Sequence, residues 1–289
     1  MPPGMTGESA APNAFRVPVV PCRRMTATMA DLALEEILLL AVAGFAAGFI
    51  DSIAGGGGLI TVPALLLAGF GPVETLGTNK LQALFGSGSA TYSYARKGHV
   101  DLRRLVPAAV LAVIGSGFGA ALASVAPGEI LQALLPVLLI AVAVYFALKP
   151  NLGDLDRAER IRPALFLAIV PPVIGFYDGL FGPGTGSFFM LAFVGLAGFG
   201  ILKATAHTKL LNFGSNVGAF IVFAAVGAVA WKVGLIMGVM QFAGARIGSA
   251  LAMRVGARLI RPLLVVVSIA LAARLLFDPA NPIRVWLGL

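Results

Sequence analysis

Two apolar runs, Leu105 to Ala126 and Ile130 to Leu148, constrain this chain more than any other feature. Each is about 20 residues long, the length at which an α-helix crosses the hydrocarbon core of a bilayer. Similar runs recur along the chain, with most charges gathered in the short stretches between them. Charged residues make up only 12% of the sequence. A soluble domain carries roughly 25%, so too little polar surface is left to cover a globule. The chain therefore reads as all-α, a polytopic helical membrane protein. A transmembrane barrel needs segments of about ten residues that alternate apolar and polar, and no such alternation is present.

Composition excludes several functions. With Cys22 as the one cysteine, neither an intrachain disulfide nor a thiolate metal cluster can form. His99 and His207 would need many carboxylates to build a structural zinc site, and carboxylates are scarce. The net charge of +8 sits largely in loops between apolar segments, as the positive-inside rule requires, so it does not point to nucleic acid. No metal and no cofactor are expected. Residues 1–30 are polar and proline-bearing, without the apolar core of a cleaved signal. They are either a disordered tail or a non-native extension ahead of a start at Met25 or Met29.

Two polar, glycine-rich stretches interrupt the apolar pattern. The first runs Asp51-Ser-Ile-Ala-Gly55-Gly56-Gly57-Gly58 and is followed by Gly77-Thr-Asn79-Lys80. The second runs Asp178-Gly-Leu-Phe-Gly182-Pro-Gly184-Thr185-Gly186-Ser187 and is followed by His207-Thr208-Lys209 and Asn212. Glycine in a helix interior costs about 1 kcal/mol relative to alanine, so four in a row should break the helix. The reading is a long helix, a glycine turn, a shorter segment to Phe70, and a next helix from about Glu74 to Tyr94.

The two stretches are copies. Asp51 and Asp178 lie 127 residues apart, and Lys80 and Lys209 lie 129 apart. The 129 offset holds from Lys80 to Leu135 and pairs Gly98 with Gly227, Gly115 with Gly244 and Gly119 with Gly248. Basic and non-basic loops exchange between the copies. Arg96, Lys97, Arg103 and Arg104 correspond to a loop holding Lys232 alone, while Pro127-Gly-Glu129 corresponds to one holding Arg254, Arg258 and Arg261. By the positive-inside rule the halves have opposite orientation, which requires an odd number of crossings in each. Five per half, ten in all, fits best, with eight or nine conventional spans as the alternative. The expected organisation is a first transmembrane repeat at 31–150, a charged cytoplasmic linker at 151–162, a second repeat at 163–278 and a tail at 279–289.

Asp51 and Asp178 lie in apolar surroundings, where a bare charge costs at least ~2.5–3.5 kcal/mol. Each therefore needs a partner or a proton. Either they couple a proton or substrate, or they cap the broken helices through backbone N–H groups. Glycines Gly55, Gly56, Gly57 and Gly58, with Gly182, Gly184, Thr185, Gly186 and Ser187, offer N–H groups and hydroxyls at the start of a half-helix, a natural anion site. Lys80 and Lys209 either add positive charge there or snorkel to the interface. Asn79, Thr208 and Asn212 beside them favour the site, and His207 adds a titratable group. Arg246 lies eight residues before Arg254, roughly 12 Å along a helix. Its guanidinium fork suits an oxyanion, unless it pairs with Asp51 or Asp178.

At these motifs, and at Tyr94-Ala-Arg-Lys-Gly98 and Ala206-His-Thr-Lys209-Leu-Leu-Asn212, the chain resembles the sulfite exporter TauE/SafE family, most closely its YfcA-like bacterial branch. The resemblance runs from about Asp31 to Phe277. It implies a multi-pass transporter of the bacterial cytoplasmic membrane that carries sulfite, an organosulfonate or a related sulfur-containing anion, and that is not an enzyme. The expected partners are a small anion, the lipid bilayer and, as an option, a second copy of the chain. A passive anion channel and a membrane-embedded enzyme are the alternative readings. Alternating access of the two repeats would move the anion.

Overall fold

A computed structural model describes residues 33–127, 158 and 160–256. Residues 1–30, the run Ile130 to Leu148, most of the 151–162 linker and the tail from 279 lie outside the described residues. Among the described residues the regular elements are eight helices: α1 (Leu34–Ala54), α2 (Gly58–Leu67), α3 (Pro72–Arg96), α4 (Leu102–Val125), α5 (Pro163–Leu180), α6 (Thr185–Gly195), α7 (Ile201–Ala225) and α8 (Trp231–Val255).

Helices α1, α4, α5 and α8 are long and apolar enough to cross a membrane, and α2 and α6 are short apolar halves. Large side chains such as Phe118, Val173, Ile221 and Val239 point outward. Water would disfavour such a coat and hydrocarbon matches it, so the protein is a multi-pass membrane protein. Helices α3 and α7 have the length to span, 25 residues each, but carry many polar side chains. They lie against each other, α3 also against α8 and α7 also against α4, where those side chains are buried.

The glycine breaks fall where the composition demands. Helix α1 stops at Gly55, whose φ is 76°, and Gly56 follows at 103°. Helix α5 gives way to Gly182 at 90° and Gly184 at 83°. These are left-handed values that a side chain opposes. Helix α3 begins at Pro72 rather than about Glu74, because proline fits a first helical turn that needs no N–H there.

Backbone contacts recur at the offsets read from the sequence. Gly98 N donates to Ala95 O and His99 N to Tyr94 O, while Gly227 N donates to Ala224 O and Ala228 N to Phe223 O. Thr61 N bonds Gly57 O as Phe188 N bonds Gly184 O. Helix α1 packs on α8 and α5 on α4. In the first pair Gly244 and Gly248 abut the backbone of Phe45 and Phe49. In the second, Gly115 and Gly119 abut Pro172 and Phe176. Each half thus lays its opening helix along the closing described helix of the other, and the glycines are the small residues that let backbones meet.

Candidate functional site

Two buried ion pairs cross between the halves. Lys80 Nζ on α3 lies 2.7 Å from Asp178 Oδ1 on α5. Lys209 Nζ on α7 lies 3.6 Å from Asp51 Oδ2 on α1 and donates to the Asp51 backbone carbonyl. Lys80 is 1% exposed and Lys209 0%, which overturns snorkelling. Both lysines lie about two turns into their helices, level with the opposite half's break, so the nearest counter-charge is the other half's aspartate.

The two breaks touch. Gly55 packs on Gly186 and Ser187 with no room for a Cβ, and Ser187 Oγ donates to Ala54 O at 2.9 Å. Each turn is held by its own tethers. Asp51 Oδ1 accepts from Gly57 N at 3.3 Å, so this aspartate does cap its broken helix while pairing with a lysine. Tyr177 Oη donates to Pro183 O at 2.6 Å and Thr185 Oγ1 to Gly182 O at 2.7 Å. Tyr94, fully buried, donates to Ser52 O at 3.0 Å just ahead of the first break. Thr61 Oγ1 and Gln82 Nε2 both donate to Asn79 Oδ1, which turns the Asn79 amide nitrogen toward the space between Gly58 and Gly182.

That space is a cavity of about 20 Å³, room for one water. Gly56, Gly57 and Gly58 line one side with Asp51, Asn79 and Lys80. Gly182, Gly184, Thr185 and Gly186 line the other with Asp178 and Asn212. Half-helices α2 and α6 thus both begin at the cavity, and first-turn amides such as those of Gly58 and Gly186 have no partner within a helix. The two ion pairs cancel formally, and the starts of α2 and α6 present N–H groups to the cavity.

The remaining predicted residues lie elsewhere. Gly55 and Ser187 form the contact behind the cavity, and Lys209 stands behind Asp51. Thr208 is buried, and its Oγ1 has no hydrogen-bond partner among the described residues. His207 packs between Phe193 and Phe199, its Nδ1 2.8 Å from Lys203 O. Arg246 is exposed on the outer face, its guanidinium 5.7 Å from the ring of Tyr92, and pairs with neither aspartate. Spacing from Arg254 places Arg246 well inside α8 but does not say which side of the helix it occupies.

Ala83, Asn216 and Gln241 also line the cavity and were not anticipated. The signals were present: Asn216 is one turn beyond Asn212, and Gln241 stands on the α8 stripe of Gly244 and Gly248.

Comparison with known proteins gives the family. The model of the family described as Sulfite exporter TauE/SafE matches residues 40–275. The chain belongs to the sulfite exporter TauE/SafE family. A Sinorhizobium relative named probable membrane transporter protein ORF9 is 65% identical over 260 residues, 90% of this chain and 100% of its own. The Escherichia coli K12 protein named probable membrane transporter protein YfcA is 47% identical over 266 residues, 91% of this chain and 99% of its own. YdhB of Bacillus subtilis, also named a probable membrane transporter protein, is 27% identical over 74% of this chain and 87% of its own. No solved structure matches. As a TauE/SafE member with transporter-named relatives across most of its length, the protein is a membrane transporter.

Proposed function

We propose that the protein is a secondary transporter of a small anion in the bacterial cytoplasmic membrane, with sulfite or an organosulfonate as cargo. The observation that carries this reading is the convergence on one cavity of two half-helix starts, Lys80 and two aspartates, each aspartate paired with a lysine of the other half. Helix N-termini favour negative charge, and the ion pairs supply lysines without leaving a bare cation in the bilayer. Asn79 and Asn212 add neutral donors. Asp51 and Asp178 hold the lysines in place and carry any coupled proton.

Alternating access between two oppositely oriented halves is the mechanism that suits this geometry. The cavity takes one water and no sulfur oxyanion, so the halves must part before an anion enters. That closure favours a carrier over a passive channel. His207, the acid–base candidate of an enzymatic reading, is packed in an aromatic pocket away from the cavity.

Purified protein in liposomes, loaded with sulfite, methanesulfonate, sulfate or acetate, should show saturable flux of a sulfur anion. Lys80→Ala and Lys209→Ala should each abolish that flux. Unsaturable flux would point to a channel, and flux that survives both substitutions would remove the lysines from the mechanism.

A further inference from the structure

We infer that the anion is held together with one exchangeable proton, carried on the ligand and hydrogen-bonded to Asp178 Oδ2, so that the site takes a monoprotonated oxyanion. This rests on the cavity being the anion site. It follows from an imbalance among the polar groups of the residues that line the cavity. Donors are available for anionic oxygens: the amide nitrogens of Asn79 and Asn212, and the backbone N–H groups of Gly58 and Gly186 at the starts of α2 and α6. Two acceptors, Asp178 Oδ2 and Gln241 Oε1, are buried in residues lining the same cavity and have no hydrogen-bond partner among the described residues. Buried acceptors are nearly always matched by a donor, and an ionised one left alone is the costliest case.

The two aspartates differ in this respect. Asp51 Oδ1 accepts from Gly57 N, and Oδ2 faces Lys209. Asp178 has Oδ1 on Lys80 and Oδ2 on nothing. The charged and titratable groups around Asp178 are Lys80 on α3, Tyr177 on α5 itself, and Asp51 and Lys209 across the cavity. Helix α6 carries no charge, and α4 carries only Arg103 and Arg104, in its first turn. Lys80 thus balances the Asp178 charge through Oδ1, and no described group donates a hydrogen bond to Oδ2.

An anion without hydrogen, such as a sulfonate, would set an oxygen lone pair against that carboxylate oxygen. Hydrogen sulfite meets Oδ2 with its hydrogen and the donors with its oxygens. The hydrogen stays on the ligand and is donated to Oδ2: one proton with one anion, the O–H bond of hydrogen sulfite remaining intact. Above neutral pH, where sulfite in solution is largely deprotonated, binding must draw that proton from the medium. A pH gradient would then drive transport.

Calorimetry on the full chain in nanodiscs tests this, with sulfite and methanesulfonate titrated above neutral pH in buffers of different ionisation enthalpy. One proton should be taken up per sulfite, and methanesulfonate should bind at least about tenfold more weakly, the effect of one misplaced charged hydrogen bond. Asp178→Asn, which puts a donor where Oδ2 stands, should abolish the uptake and erase the preference. Sulfite binding without proton uptake, or equal affinity for the two anions, overturns the proposal from wild-type data alone, whether or not the variant folds. Gly58→Ala, whose methyl would lie 3.7 Å from Asn79 Nδ2 and 3.3 Å from Pro183 Cα, separates the two claims. Unchanged affinity in that variant removes the anion site itself. Weakened affinity beside a wild type that takes up no proton removes only the proton.

Discussion

Lys80 and Asp178 form a buried pair whose worth lies less in the attraction than in what each prevents. Removing one partner of such a pair strands a charge and typically costs about 3–5 kcal/mol, whereas replacing both by apolar residues is often neutral. Lys80→Ala should therefore lower thermal stability in detergent by about that amount, and Lys80→Met with Asp178→Leu should restore most of it while leaving transport dead. A double variant as unstable as the single one would mean that the pair does not set the stability. Arg246 offers the opposite expectation. It faces outward against Tyr92, so Arg246→Gln should leave liposome flux near wild type, while Asn216→Ala and Gln241→Ala in the cavity lining should reduce it. Flux that collapses in Arg246→Gln would return that residue to the site. The sequence exposed the glycines, aspartates and lysines because charge and glycine are conspicuous in an apolar chain. Asn216 and Gln241 stayed hidden because an uncharged amide in a helix carries no such contrast, and which face it occupies depends on how neighbouring helices rotate.

At the level of helices, the two breaks turn glycine composition into geometry. Gly55 combines a left-handed φ of 76° with a Cβ position already filled by Gly186 and Ser187. Gly69 has a similar φ of 87° but open space around it. Gly69→Ala should cost only the conformational penalty, roughly 1–2 kcal/mol, while Gly55→Ala should cost clearly more and impair flux. Equal losses in thermal unfolding would show that the contact between the breaks contributes nothing beyond backbone strain. Both breaks were legible in the sequence. Less legible was the part played by α3 and α7. They lack the apolar profile of a span because Asn79, Lys80, Gln82, Thr208, Lys209 and Asn212 are polar yet buried, Asn79, Lys80 and Lys209 with partners on other helices. Hydropathy reads each helix as though it met lipid alone, so helices that meet mostly protein are under-read.

Across the whole molecule, the repeated register accounts for why the ion pairs cross. When each half packs its opening helix on the closing described helix of the other, the aspartate before one break comes level with the lysine of the other half. Offsets of 127 and 129 residues announced the two copies, but which copy supplies each partner is a property of packing and could not be read from spacing. Orientation is the remaining global property, and the loop charges make it testable. Lys97 and Val226 are equivalent residues that end α3 and α7 with nearly the same backbone, φ −92° and ψ 4° against φ −87° and ψ 2°. Both are exposed. Lys97 lies among Arg96, Arg103 and Arg104, which the positive-inside rule keeps in the cytoplasm, while Val226 is followed by Lys232 alone. In a Cys22→Ser background, Val226→Cys should react with a membrane-impermeant maleimide added to intact cells. Lys97→Cys should react only after the membrane is opened. Labelling of both from one side would mean that the halves share an orientation, and the alternating-access mechanism would lose its symmetry. Opposite labelling would place the two half-helix starts at the cavity from opposite faces of the membrane, the arrangement in which parting one pair of helices opens the anion to a single side at a time.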